Sequence, residues 1–293
     1  MIRVRYLMIL VFTVVLWVSM LSFPCLGQDQ GTVEKEGYIG SEACQGCHGE
    51  LYEAFKKNPH WGKDCESCHG PGQKHAEAEG KGGILALKGK TASVQAEVCL
   101  SCHQRLKDFY QFRRSVHKLS AVGCGDCHQM HGTQVTGSFL KKYETRVTDP
   151  LLKTNEIDLC ISCHPDVKSS FYLPNSHKVM EGALTCSDCH APHGTRERAS
   201  LRKTSIYGKQ EACLNCHPEK RGPWVFEHLA QKKEGCGVCH APHGSPNRFM
   251  LIRRDSRQLC AQCHGQRHFY ATFNCVNCHN QIHGSNFSSR FLQ

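Results

Sequence analysis

The sequence predicts mostly short α-helices and loops wrapped around a chain of bulky non-peptide groups, with little or no β-structure. Three observations lead there. Ten copies of Cys-x-x-Cys-His run through the 293 residues. Too little polypeptide separates them to build a conventional core around each. No long stretch alternates apolar and polar residues, and glycines, prolines and asparagines interrupt often.

The motifs contain 20 of the 21 cysteines. Their thiol pairs are Cys44 and Cys47, Cys65 and Cys68, Cys99 and Cys102, Cys124 and Cys127, Cys160 and Cys163, Cys186 and Cys189, Cys213 and Cys216, Cys236 and Cys239, Cys260 and Cys263, and Cys275 and Cys278. In this spacing two thiols can form thioethers with the vinyl groups of one haem, and the following His ligates its iron. The expected proximal ligands are His48, His69, His103, His128, His164, His190, His217, His240, His264 and His279. Chance would supply about 0.1 copies at this composition. Ten covalently bound haem c groups are therefore expected, making the chain a multihaem cytochrome c in class. A disulfide framework would not need a His after every second Cys. Zinc sites would need a regular four-ligand grouping that the spacing lacks.

Arg3 and Arg5 precede an uncharged apolar run from Tyr6 to Phe23, which Pro24 breaks. Cys25-Leu26-Gly27 then offers small residues for cleavage, so residues 1–27 read as a signal peptide and 28–293 as the decahaem domain. Cleavage after Gly27 removes Cys25, the one cysteine outside the motifs. The 18-residue run is also just long enough to stay as a membrane anchor. Lipidation at Cys25 is a further alternative, behind a poor lipobox at Ser22-Phe23-Pro24. Export suits the chemistry, because an oxidising periplasm would turn unattached thiols into disulfides.

Cleavage leaves about 27 residues per haem, so the macrocycles themselves must be the core. The haem-free polypeptide is expected to be largely unfolded. The formal charge of +10 needs no nucleic acid to balance it. Ten haems bring about −20 from propionates and about +10 from ferric centres, which takes the net charge close to zero.

Motifs of two types alternate, giving five two-haem units at about 41–75, 96–132, 157–194, 210–244 and 257–284. Each unit has a first motif, a lone His, a second motif and then a further His, usually followed by Gly. Haem-free connectors lie between them, Ala76 to Val98 and Gly132 to Leu159 among them. Leu152-Lys153 and Ile252-Arg253 stand equally far before Cys160 and Cys260, which suggests equivalent short helices.

Ten further histidines match the ten irons: His60, His75, His117, His131, His177, His193, His228, His243, His268 and His283. They are the expected distal ligands, with surface or propionate-binding roles as the plainer alternative. His75 and His268 depart from the spacing of the other units. Imidazoles on opposite faces of one haem place their Cα atoms ~12 Å apart, whereas three residues span at most about 11 Å. His131, His193 and His243 therefore cannot cap their own motif's haem. Each is expected to reach another, most simply the first haem of its own unit. Methionine, the usual alternative ligand, is present after residue 27 only as Met130, Met180 and Met250.

A haem with two protein ligands passes electrons but lacks an open position for substrate. An electron carrier rather than an enzyme is expected, with haems roughly 18 Å centre to centre in a compact chain. A globule ~48 Å across would also exceed the ~30 Å hydrocarbon of a bilayer. A multihaem reductase with one open site, or a filament-forming haem wire, is the alternative.

The string SEACQGCHGELYEAFKKNPHW from Ser41 to Trp61 and the repeated CHAPHG at Cys189 and Cys239 resemble periplasmic decahaem cytochromes of the MtrA/DmsE type. The resemblance covers essentially all of residues 28–293. It implies bis-His electron conduits inserted into an outer-membrane β-barrel porin. The donor would be an inner-membrane quinol dehydrogenase or periplasmic cytochrome. The acceptor would be an extracellular cytochrome, a metal oxide or an outer-surface reductase. It also implies two pentahaem halves, where the repeat itself reads as five two-haem units.

Overall fold

Each haem-attachment motif folds as one turn of helix. In nine of the ten, the His N–H donates to the carbonyl of the first Cys at 2.8–3.1 Å. In the tenth, His103 is the last residue of the helix Ala92–His103. Spacings of three and four residues put both thiols and the imidazole on one face of that turn.

The computed structural model describes residues 36–106, 109–132, 151–202, 211–265 and 273–292. The expected signal peptide, most of the connector after Gly132, and His268 lie outside the described residues. All ten motifs fall in one compact unit, Ile39–Gln293.

First motifs sit in helices that begin at or before the first Cys: Ser41–Gln45, Ala92–His103, Glu156–Cys163, Glu211–Leu214 and Ser256–Cys260. Polar caps start three of them. Thr91 Oγ1 accepts from Val94 N–H at 3.5 Å, Asn155 Oδ1 from Asp158 N–H at 3.0 Å, and Asp255 Oδ1 from Arg257 N–H at 2.8 Å. Second motifs form short turns of their own. In Cys124–Cys127 and Cys186–Cys189, Asp126 and Asp188 reach back to the N–H groups of Gly123 and Thr185 at 2.7 Å. Where Val238 or Asn277 replaces that aspartate, the turn tightens to a 3₁₀ helix, Cys236–Val238 or Cys275–Asn277.

The fold is thus the expected one, short helices with little strand. Among the described residues, β-structure is limited to isolated bridges. Three of them, His128 to Leu152, His190 to Leu201 and His240 to Leu251, fold the chain back onto a second motif. The Leu152-Lys153 and Ile252-Arg253 pairs serve these returns rather than helices. Lys153 N–H donates to Cys127 O and Ile252 N–H to Cys239 O, both at 3.0 Å, and the helices start four residues later, at Glu156 and Ser256.

The apolar core is small. Ala96, Leu100 and Phe112 form one buried cluster and Ile157, Phe171 and Val179 another. Clusters of this size cannot offset the entropy of ordering so many short elements. Chain made without haem attachment is therefore expected to show a coil-like far-UV circular dichroism spectrum and no cooperative thermal transition. A sharp melt of that material would contradict this account of the core.

Candidate functional site

The imidazoles meet in pairs, and every pair joins one motif His to one non-motif His. The ring centroids of His48 and His75 lie 6.2 Å apart, His103 and His60 5.8 Å, and His69 and His131 5.8 Å. His164 and His117 lie 6.2 Å apart, His128 and His193 5.9 Å, and His217 and His177 6.3 Å. His190 and His243 follow at 6.0 Å, His264 and His228 at 6.2 Å, and His240 and His283 at 6.3 Å. These nine pairs hold nine motif histidines and nine others; His268 is outside the described residues.

The separation tests whether a haem iron fits. A metal about 2 Å from each of two facing ring nitrogens sets the ring centres about 6.2 Å apart. The nine pairs span 5.8–6.3 Å, so the residues fit the group.

The pairing corrects one expectation. His131, His193 and His243 do not face the first motif of their own unit. They face His69, His128 and His190, the second motif of the preceding unit. In exchange, His60, His117, His177 and His228 face the first motif of the following unit. Each junction between units is therefore crossed twice. His75 instead turns back on His48 within the first unit, which accounts for its unusual spacing.

Close backbone contacts hold each junction. Asn175 and Ser245 exchange N–H···O bonds of 3.1 and 2.8 Å beside His177 and His243. Phe226 and Ser285 exchange bonds of 2.8 and 2.9 Å beside His228 and His283. At the three later junctions the glycine after the returning His is required by this approach, whereas a Cβ at Gly132 would come no closer than 3.6 Å to Ala54 O. At Gly244 a Cβ would lie 1.9 Å from Ser170 O, and at Gly194, with φ +104°, 2.8 Å from Ser115 Cβ. Aromatic rings flank the returning imidazoles, with Phe109 4.3 Å from His193 and Phe171 5.3 Å from His243.

Hydrogen bonds fix the tautomers. A carbonyl can only accept, so an Nδ1 bonded to one carries the proton and leaves Nε2 as the free lone pair. Among second-motif histidines, His69 donates to Leu85 O at 2.7 Å, and His190 and His240 to Ala199 O and Phe249 O at 2.8 Å. His279 donates to Arg290 O at 2.5 Å. Ala199 and Phe249 hold left-handed backbone at φ 55° and 57°, a strain of about 1–2 kcal/mol that aims their carbonyls at the ring. Among the other histidines, His75 donates to Gly82 O at 2.7 Å, His117 to Pro192 O at 3.0 Å and His177 to Pro242 O at 2.7 Å. His228 bonds the backbone of Ile282. Burial holds His60, His131, His228 and His243 below the usual imidazole range and takes His283 to about 4. These rings are neutral at pH 7, the state that ligates a metal.

The thiols show how the motifs follow one another. Within each unit the first cysteines of the two motifs lie beside one another: Cys44 and Cys65, Cys99 and Cys124, Cys160 and Cys186, Cys213 and Cys236, and Cys260 and Cys275. Between units Cys68 neighbours Cys102, Cys127 neighbours Cys163, Cys189 neighbours Cys213, and Cys239 neighbours Cys263. Motif order in sequence is thus motif order in space. Glu156, Cys160 and Cys186 gather their ligand atoms within 4.8 Å, but both thiols belong to attachment motifs. Among the described residues no helix is long and apolar enough to cross a membrane.

Thiol pairs on helical turns, backed by facing imidazoles, define a multihaem c-type cytochrome, an electron carrier with covalently bound haem c. Residues 177–222 and 228–269 match the family model of the doubled CXXCH motif, and 65–148 that of the NrfB-like cytochrome c-type proteins. The multiheme cytochrome MtrA of Shewanella baltica (strain OS185) is 36% identical over 290 residues, covering 87% of this chain and 81% of that protein. The chain belongs to the MtrA family of multihaem cytochromes.

Gly244→Ala is expected to destabilise the holoprotein by about 1–3 kcal/mol, because its Cβ would strike Ser170 O. Gly237→Ala, with no atom within 4 Å of the added Cβ, should leave the melting temperature unchanged. Thermal melts of the two variants make the comparison.

Proposed function

We propose that the chain holds ten bis-His haems and carries electrons along them in sequence order across the outer membrane, inside a β-barrel porin partner. The observation that carries this reading is the set of nine facing imidazole pairs, each made of one motif and one non-motif His. By count, His268 is assigned to the iron of His279.

When bound, haem supplies a one-electron iron couple at each site. The chain's own residues do the rest. Cysteine pairs would fix each macrocycle to its helical turn, and the carbonyl-bonded imidazoles would offer Nε2 to the metal. A second imidazole at each site would exclude substrate and water, which favours electron transfer over reduction of a small molecule. Contact between the thiols of successive motifs keeps attachment points close enough for tunnelling.

Residues 1–27 are assigned as an export signal, so the site of action is the periplasm and the outer membrane. Donors on the inner side would be a quinol dehydrogenase or a periplasmic cytochrome. Acceptors on the outer side would be an extracellular cytochrome, a metal oxide or a surface reductase. The arrangement serves anaerobic or extracellular respiration.

Two measurements test the reading. His193→Ala should leave one ferric haem high-spin by EPR. His128→Ala with His193→Ala should perturb that same single haem, whereas His103→Ala with His193→Ala should perturb two. For the conduit, vesicles holding a trapped redox dye and the chain with its porin should reduce the dye from an impermeant external donor. Equal rates with the porin alone would remove the conduit from the proposal.

A further inference from the structure

The first junction is built differently from the rest, and the difference centres on Asn58. At the other junctions the forward imidazole bonds the carbonyl just before the returning His directly: His117 to Pro192 O, His177 to Pro242 O, and His228 to Ile282. At the first junction that carbonyl belongs to Met130, and it is taken by Asn58 Nδ2 at 2.6 Å. Asn58 Oδ1 in turn accepts from the backbone N–H of His60 at 2.8 Å and faces its Nδ1 at 3.2 Å. Asn58 is 5% exposed, so its amide is committed to these partners. An acceptor, Met130 O, on one side and donors from His60 on the other fix which way the amide points.

The ring geometry departs at the same place. The planes of His60 and His103 cross at 78°. The corresponding pairs at the later junctions cross at 47°, 51° and 18°, and the remaining five at 12–37°. A side-chain amide inserted between ring and carbonyl displaces the anchor of Nδ1 and turns the ring. On the other face His103 packs edge-on against Phe109, 5.1 Å away, which limits any compensating rotation.

We infer that Asn58 is a positioning residue that turns His60 across His103, so that the haem on Cys99 and Cys102 has crossed axial ligands, unlike its neighbours. The inference rests on the bis-His reading above. Crossed imidazole planes leave the two lower-lying iron d-orbitals that interact with the rings nearly degenerate. The ferric low-spin centre then gives a highly anisotropic EPR signal, where near-parallel planes give a rhombic one. Crossed planes also weaken donation from the rings into a single orbital, which favours the ferrous state.

Low-temperature EPR of the oxidised holoprotein, integrated against haem content, is the test. Wild type should hold one haem's worth of highly anisotropic low-spin signal beside a rhombic majority. Asn58→Ala frees Met130 O for His60 Nδ1, the arrangement of the later junctions. It should lose that component to the rhombic envelope and lower one midpoint potential. Asn58→Asp loses the donor to Met130 O, at a cost in stability, but keeps an acceptor for Nδ1, so the anisotropic signal should persist. The carboxylate strengthens that hydrogen bond and should also lower the midpoint potential of the same haem.

Low-spin haems throughout with no anisotropic component in wild type would overturn the role of Asn58 while leaving the ligand pairs intact. So would an anisotropic component that Asn58→Ala leaves unchanged. High-spin signal from many haems would instead sink the ligand pairing itself. If Asn58→Ala attaches too little haem to measure, the wild-type spectrum and Asn58→Asp still decide.

Discussion

The exchange of imidazoles between neighbouring units is the constraint on which the rest of the structure depends. An internal unit lends one His forward and one back, so no internal unit contains both rings of either of its own pairs. The second unit illustrates it: His117 faces His164 of the third, His131 faces His69 of the first, and its own His103 and His128 face His60 and His193. Under the proposed ligation, bonds between units would supplement the small apolar core. Phe112 and Phe171 are buried, and they lie beside the paired rings of His193 and His243.

Exchange also explains the recurrent His-Gly. The returning His must reach a ring in the unit before it, so its backbone presses directly on that unit. Gly244 meets Ser170, Gly194 meets Ser115, and Gly284 lies where a Cβ would be 2.2 Å from the indole of Trp224. A side chain at any of these positions would hold the two units apart. At the three later junctions the forward His bonds the carbonyl just before the returning His, as His177 does to Pro242, so one contact orients both rings. The segments that match the doubled-motif family model begin at His177 and His228 and run past His217 and His264. Each therefore contains a complete imidazole pair, which an internal unit starting at its first cysteine does not.

Much of this was legible in the sequence, because the chemistry depends on spacing. Cys-x-x-Cys-His is a helical turn with its ligands on one face, and scarce alternation leaves little strand to expect. The count of ten further histidines set the ligand inventory, and the reach of three residues excluded His131 from its own motif's haem. Which haem it reaches was not legible. Nothing in local spacing separates a ligand turned back into its own unit from one passed to the preceding unit. That choice is made by backbone contacts such as Asn175 with Ser245, 70 residues apart. Asn58 was equally silent, since an asparagine before Pro59 reads as a turn residue. Only its burial and its bond to Met130 O set it apart.

The hydrogen bonds to Nδ1 have a consequence for the series as a whole. In the first motif of a unit, the anchored ring is the one supplied from elsewhere, as with His75 on Gly82 O or His117 on Pro192 O. In the second motif it is the motif's own ring, as with His69 on Leu85 O or His240 on Phe249 O. Under the proposed ligation, both arrangements would give an iron one imidazole made more electron-donating by a carbonyl, with His60 on Asn58 as the exception. Alternating attachment would otherwise invite alternating potentials, and each step in such a staircase slows transfer in one direction. Levelling the donor strength removes that source of steps. A strained left-handed residue at Ala199 and again at Phe249 is a local cost sustained at the same place in two units, where it aims the carbonyl that the second-type site requires.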